Sequence, residues 1–189
     1  MSQKILGDSR FFASLFDIDR ELAEERRAGG CLYCGCGLHS AHYWRKPRGG
    51  PGDLGRGMNK RFSYCCAREG CRRRATPESV RFLGRKVYFS VVVVLACVLT
   101  HGVTDRRAAQ LREDLGIRHV TLKRWRKWWI EAFAASGFWK AGRGRFSPLV
   151  DEEALPGSLL ERFLGDSRAK LLGLLRWLWP ISLPPAQVF

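Results

Sequence analysis

Residues 104–135 read TDRRAAQLREDLGIRHVTLKRWRKWWIEAFAA, and the reading of this stretch decides the fold. Thr104 or Asp105 caps a helix running to Leu115, because a short side-chain oxygen there satisfies free N–H groups of the first turn. Gly116 permits a tight turn, and Ile117 is its buried anchor. A second helix begins near His119. In it Leu122, Trp125, Trp129 and Phe133 recur at steps of 3, 4 and 4, which marks one apolar helical face. Lys123, Arg124, Arg126 and Lys127 fall between them. Two short helices, a glycine turn and a basic second helix make the pattern of a helix-turn-helix, whose second helix enters a DNA major groove. Early residues of such a helix reach bases while flanking cations hold phosphates. The expected contacts are His119, Thr121, Lys123, Arg124 and Lys127, with Arg118 at the edge. Arg112 departs from the pattern: it stands four positions before the turn glycine, where a small residue is usual at the helix crossing. A wider crossing or a shifted register is therefore expected. The plainer reading is an amphipathic hairpin with a solvated basic face.

Upstream, residues 87–103 read VYFSVVVVLACVLTHGV, the most apolar stretch of the chain. A helix of that length spans about 25 Å, short of the roughly 30 Å hydrocarbon core. Ser90, Thr100, His101 and Gly102 also interrupt it. A buried core helix from about Lys86 to Thr100 is expected rather than a membrane span, although the valines also carry strand propensity. Before it, Thr76-Pro77-Glu78 suits a helix start with Thr76 as cap, and Val80 and Phe82 suit a short strand equally well.

Residues 31–75 are rich in Cys, Gly and Arg and poor in aliphatics. Such a segment needs a staple other than hydrophobic burial. Cys31-x2-Cys34-Gly and Cys66-x4-Cys71 are two close pairs about thirty residues apart, and zinc takes four thiolates in a tetrahedron. The expected ligands are Cys31, Cys34, Cys66 and Cys71, with Cys65 the rival for the third place. Cys36, His39 and His42 are further donors nearby, whereas Cys97 sits in the valine run as an ordinary core thiol. Four thiolates close the coordination shell, so the Zn2+ is expected to be structural. Arg45, Lys46 and Arg48 lie in the loop between the pairs, and Arg72, Arg73 and Arg74 follow the last cysteine. Cations beside Tyr43, Trp44, Phe62 and Tyr64 suit nucleic acid, with the aromatics expected mainly in the ribbon's small core.

The two motifs together resemble zinc-ribbon plus helix-turn-helix proteins of bacterial mobile elements. The residues carrying the resemblance are Cys31-x2-Cys34-Gly, Cys66-x4-Cys71-Arg-Arg-Arg, and Leu115-Gly-Ile117 leading to Thr121-Leu-Lys-Arg-Trp125, across about residues 31–130. The resemblance implies the DNA-binding front end of a transposase or a stand-alone accessory protein, with a transposase or recombinase as a further partner.

Charge supports a polyanionic partner. The 189 residues carry 33 Lys+Arg against 18 Asp+Glu, a net charge of +15. Residues 1–29 and 148–189 each carry −1, while residues 30–86 carry +10 and 87–147 carry +7. A solubility device spread over the surface would not leave both ends neutral. The expected domains are an N-terminal helix (1–30), a zinc ribbon (31–75), a helix-turn-helix (76–135) and a C-terminal helical packing or dimerisation segment (136–189). Within the first, Phe12, Leu15, Phe16 and Leu22 mark an apolar face. In the last, Ser158-Leu-Leu-Glu161 reads as a capping box, and a leucine-rich helix up to Pro180 offers a homodimer face. The fold class expected is mainly α with a small β zinc ribbon and a helix-turn-helix core. The acidic N-terminal stretch lacks a secretory pattern, so a cytoplasmic protein at the bacterial nucleoid is expected. About 55 residues follow the helical pair, too few for a nuclease domain of roughly 100–150 residues, and no nucleophile motif is present. The reading is a non-enzymatic, sequence-specific binder of double-stranded DNA, a transposition accessory factor or a transcription regulator. An RNA-binding zinc-ribbon module and a DNA-binding subunit of a nuclease or recombinase are the alternatives.

Overall fold

A computed structural model describes residues 2–84 and 86–183. It is mainly helical with a small antiparallel sheet. In chain order the elements are α1 (Ser2–Leu6), α2 (Ser9–Ala28), β1 (Leu38–Ser40), β2 (Tyr43–Trp44), β3 (Lys60–Arg61), β4 (Tyr64–Cys66) and β5 (Arg74–Ala75). There follow α3 (Ser90–Thr100), α4 (Asp105–Asp114), α5 (His119–Lys127), α6 (Gly137–Gly142), α7 (Gly157–Leu160) and α8 (Ser167–Leu178). Two compact units share the chain: Asp8–Phe89 with Arg176–Phe189, and Met1–Gly7 with Ser90–Leu175.

In the first unit the Asp8 carboxylate accepts from the N–H groups of Arg10 and Phe11 and so caps α2. Gly29 follows the helix as its C-cap. The apolar face of α2 buries Phe11, Phe12, Leu15, Ile18 and Ala23, and Phe12 meets Phe89 edge-on at 5.2 Å. One acid lies on that face. Asp19 is fully buried and pairs with Arg81, Nε to Oδ2 2.7 Å, with both side chains at 0% exposure. Its carboxylate also accepts from Ser79 Oγ (2.5 Å) and the Val80 N–H (2.7 Å). Arg81 donates onward to the carbonyls of Met58 (2.6 Å) and Lys60 (2.8 Å), with Phe16, Phe62 and Phe82 around its guanidinium. Ser182 Oγ accepts from the Ser79 N–H at 2.9 Å.

This network explains why residues 77–81 become neither helix nor strand. Their amides bond to side chains instead: Val80 to Asp19, and Arg81 and Phe82 to Ser79 Oγ. Beyond them Phe82 bridges Phe89, and the Phe89 N–H donates to the Arg48 carbonyl. Tyr88 and Phe89 are thereby held in isolated bridges, and the valine helix starts at Ser90 rather than Lys86. The sheet orders β1-β4-β5, all antiparallel, with Leu38 opposite Cys66 and Cys65 opposite Arg74. A separate β2–β3 pair sets Tyr43 opposite Arg61 and Trp44 opposite Lys60.

In the second unit α3 packs against α1, α4 and α5. Among the described residues no helix is long and apolar enough to cross a membrane. Between α4 and α5, Gly116 takes φ +59° and the Ile117 N–H returns to the Arg112 carbonyl at 2.8 Å. Ile117 is buried, as are Leu122, Trp125, Trp129 and Phe133. After α5 the chain continues as a π-helical turn, Trp128–Phe133. Ring contacts then run Trp129–Phe133–Trp139–Phe146–Phe163 at 4.8 to 6.4 Å. The capping box at Ser158 does not form. Helix α7 starts at Gly157 behind Pro156, without a side-chain cap, and Ser158 Oγ bonds the Asp151 carbonyl instead. Asp166 does cap α8, accepting from the Arg168 and Ala169 N–H groups. Leu171, Leu174, Leu175 and Leu178 of α8 are buried within the single chain.

Candidate metal centre and cationic surfaces

Two tight turns deliver the four cysteines. In the first, the Cys31 N–H bonds the Cys36 carbonyl and the Gly35 N–H bonds the Cys31 carbonyl, both at 2.8 Å. Gly35 sits at φ +70°, a backbone region that side chains resist. In the second, β4 ends at Cys66, and the Cys71 and Arg72 N–H groups turn back to the Arg68 carbonyl. The turns bring the Sγ atoms of Cys31, Cys34, Cys66 and Cys71 within 4.8 Å of one another. Cys31–Cys71 measures 3.8 Å and Cys34–Cys66 3.4 Å. A zinc tetrahedron with bonds of about 2.3 Å has sulfur–sulfur edges of about 3.8 Å, so the donor set fits such an ion in number, type and spacing.

Strand alternation separates Cys66 from its neighbour. Cys66 is buried toward the cluster, whereas the Cys65 thiol donates to the Arg72 carbonyl at 3.1 Å. Cys36 stands outside the four. Cys97 is buried in α3, in the other unit. His39 is exposed on β1, and His42 Nδ1 lies against the Ser63 backbone, 3.1 Å from its amide nitrogen. Ala23, Leu38, Phe62 and Tyr64 wall the cluster with Phe16 beside them.

The thiols differ in their ease of ionisation. The Cys36 N–H, and then the Cys66 thiol, stabilise the Cys34 thiolate and bring its pKa down to about 6. The Tyr33 N–H lowers Cys31 in the same way. Burial pushes the Cys66 thiol up to about 12. Backbone N–H groups aimed at sulfur are the outer support expected around a metal-ligating thiolate. A cation at the centre would supply the positive charge that the buried Cys66 lacks.

No protein-family model, curated protein or solved structure matches the chain. What the surfaces can do therefore follows from their own chemistry.

The cations divide into two kinds. Lys46, Arg48, Arg72, Arg73 and Arg74 are exposed or partly so. Arg45 is not free: its guanidinium donates to the carbonyls of Gly84 (3.1 Å) and Lys86 (2.8 Å) and lies over the Phe82 ring. Arg61 is buried against the Pro77 and Glu78 carbonyls. Arg61 and Arg81 add to the sequence charge and lie inside the fold. The one sequence signal for this is Asp19, an acid on an apolar face that requires a buried cation. On α5, Arg118, His119, Lys123, Arg124 and Lys127 are exposed or partly so, and Thr121 is half-buried. Lys127 reaches Glu131 at 3.7 Å. The aromatics also split. Phe62 and Tyr64 are core, whereas Tyr43 and Trp44 face solvent, as does Tyr33 between the first two cysteines.

Proposed function

We propose that the chain is a sequence-specific DNA-binding protein in which α4 and α5 act as a helix-turn-helix and the four cysteines hold a structural zinc in a ribbon. The observation that carries this is the two-faced α5. Leu122 and Trp125 are buried on one side, while Arg118, His119, Lys123, Arg124 and Lys127 stand around the other. That is a helix anchored by its apolar face with its cations left for phosphates and base edges. When bound, the zinc ties two turns that have little aliphatic core of their own, and its thiolate shell leaves no open position for water.

The acids after α6 support binding rather than catalysis, because Asp151, Glu152, Glu161 and Asp166 already have structural partners. Glu152 accepts from Trp139 Nε1 and Arg143, both at 2.8 Å. Asp151 accepts from the Glu153 N–H. Glu161 pairs with Lys170, and Asp166 caps α8. The resemblance to mobile-element proteins makes an accessory role in transposition, or transcriptional regulation, the expected setting.

Binding to duplex DNA across a salt series tests the proposal. Affinity should fall linearly in log–log form, and Lys123→Ala or Arg124→Ala should each lower the slope by about 1. A flat salt response, inert α5 variants, or tighter binding to structured RNA would overturn it. Cleavage of DNA with Mg2+ or Mn2+ that vanishes on Asp151→Asn would overturn the non-enzymatic part.

A further inference from the structure

The ribbon carries a strip that the α5 surface does not explain. Tyr33 is 63% exposed and has the Arg73 guanidinium on its ring, 3.8 Å from the centroid. Arg74, the next residue, lies 5.8 Å from the centroid of Tyr43, which is 41% exposed. Trp44 follows at 68% exposure, with Lys60 opposite it in the β2–β3 pair. The contacts pair Tyr33 with Arg73 and Tyr43 with Arg74, and Trp44 is the next residue of β2. A lone exposed aromatic is ordinary on a protein surface. Two of them under consecutive arginines, with a third exposed ring next to them in the chain, make a candidate binding strip. An arginine covers one face of Tyr33 and leaves the rest of the ring to solvent.

We infer that this strip binds unpaired nucleic acid, its rings stacking on bases and Arg72, Arg73 and Arg74 holding phosphates. A base in a duplex hides both faces in the stack, so ring surfaces offer little to double-stranded DNA. An unpaired base presents the face that Tyr33, Tyr43 and Trp44 need. The surrounding charge selects a polyanion, since residues 30–86 carry a net +10 in sequence and +8 without the buried Arg61 and Arg81. The strip lies in a different unit from α5. It shares with the proposed function only the ligand class. One chain would then engage a duplex through α5 and a separated strand through the ribbon.

The test uses the full zinc-loaded chain and fluorescence anisotropy with four probes: oligo-dT, oligo-rU, an abasic strand of equal length and a duplex. Unaltered protein should bind oligo-dT or oligo-rU at least about tenfold more tightly than the abasic strand, and the two base-bearing arms tell DNA from RNA. Trp44→Leu should weaken binding to the better strand about tenfold, within the range for one stacked base. Trp44→Phe should restore most of it. The triple variant Tyr33→Leu, Tyr43→Leu, Trp44→Leu should lose about a hundredfold or more for the strand and less than about threefold for the duplex. Should that variant misfold, photocrosslinking of a 5-iodouracil strand to unaltered protein gives the answer, with adducts expected on Tyr33, Tyr43 or Trp44. Equal affinity for the abasic strand, equal losses for strand and duplex, or adducts confined to α5 would each overturn the inference. Inert α5 variants together with intact strand binding would instead overturn the helix-turn-helix reading alone.

Discussion

Replacing Arg81 by leucine tests the account of how the cysteine-bearing unit holds together. Arg81 and Asp19 are both wholly buried and bonded at 2.7 Å. The substitution leaves the Asp19 carboxylate charged without its counter-ion. It also leaves the Met58 and Lys60 carbonyls without their donors. Breaking one side of a buried pair costs about 3–5 kcal/mol, a large share of the roughly 5–15 kcal/mol that a folded chain has. For a chain of this length that loss lowers Tm by about 6–20 °C, at about 2–4 °C per kcal/mol. Asp19→Leu should cost a similar amount, because it strands the guanidinium. The double variant should cost less than the two singles together by at least about 2 kcal/mol, since neither charge is then left alone. Urea unfolding followed by far-UV circular dichroism, with zinc in excess throughout, measures all three. Single-variant costs below about 1 kcal/mol, or strict additivity, would refute the reasoning.

Other consequences are as direct. Cys66→Ser should abolish stoichiometric zinc in purified protein while Cys65→Ser leaves about one ion per chain; metal analysis giving the reverse would misplace the centre. Burial, then the Lys60 and Arg27 charges, hold the His42 pKa below 6.5 in spite of the Ser63 backbone contact. The folded state therefore binds fewer protons there than the unfolded chain. The His42 contribution is complete above about pH 6.5 and is lost as pH falls through the depressed folded value. His42→Gln should flatten the stability profile in that window, and an unchanged acid limb would exclude the residue. Gly116→Ala meets no atom within 4 Å but must hold φ +59°, so a loss of about 1–2 kcal/mol is expected from backbone strain alone. An Ala variant as stable as the parent would mean that the turn relaxes.

Features set by neighbours along the chain are legible in the residues themselves. The bounds of α2 follow from Asp8 and Gly29, and those of α4 and α5 from Gly116 and the apolar steps. That Cys31, Cys34, Cys71 and one of Cys65 or Cys66 belong together follows from their spacing. Features set by partners far along the chain are not legible in this way. The choice of Cys66 over Cys65 depends on the phase of β4, which one residue of shift would invert. Arg61 and Arg81 look like surface cations until Asp19 and the carbonyls of Met58, Lys60 and Pro77 are placed around them. Ser158 has the spacing of a capping box, yet its hydroxyl goes to a carbonyl seven residues earlier. Trp44 and Tyr43 lie on a two-residue strand too short for alternation to reveal which side is wet.

The way the units share the chain has a consequence for the order of synthesis. Residues 8–89 supply all four cysteines, but Ser182, which closes on the Ser79 N–H, is translated 93 residues after Phe89. At about 5–20 residues per second that delay is roughly 5–20 s. During it the nascent chain holds clustered thiols next to a wall still missing its last piece. Metal capture in that interval would protect the thiols from oxidation and hold the two turns in register until residues 176–183 arrive.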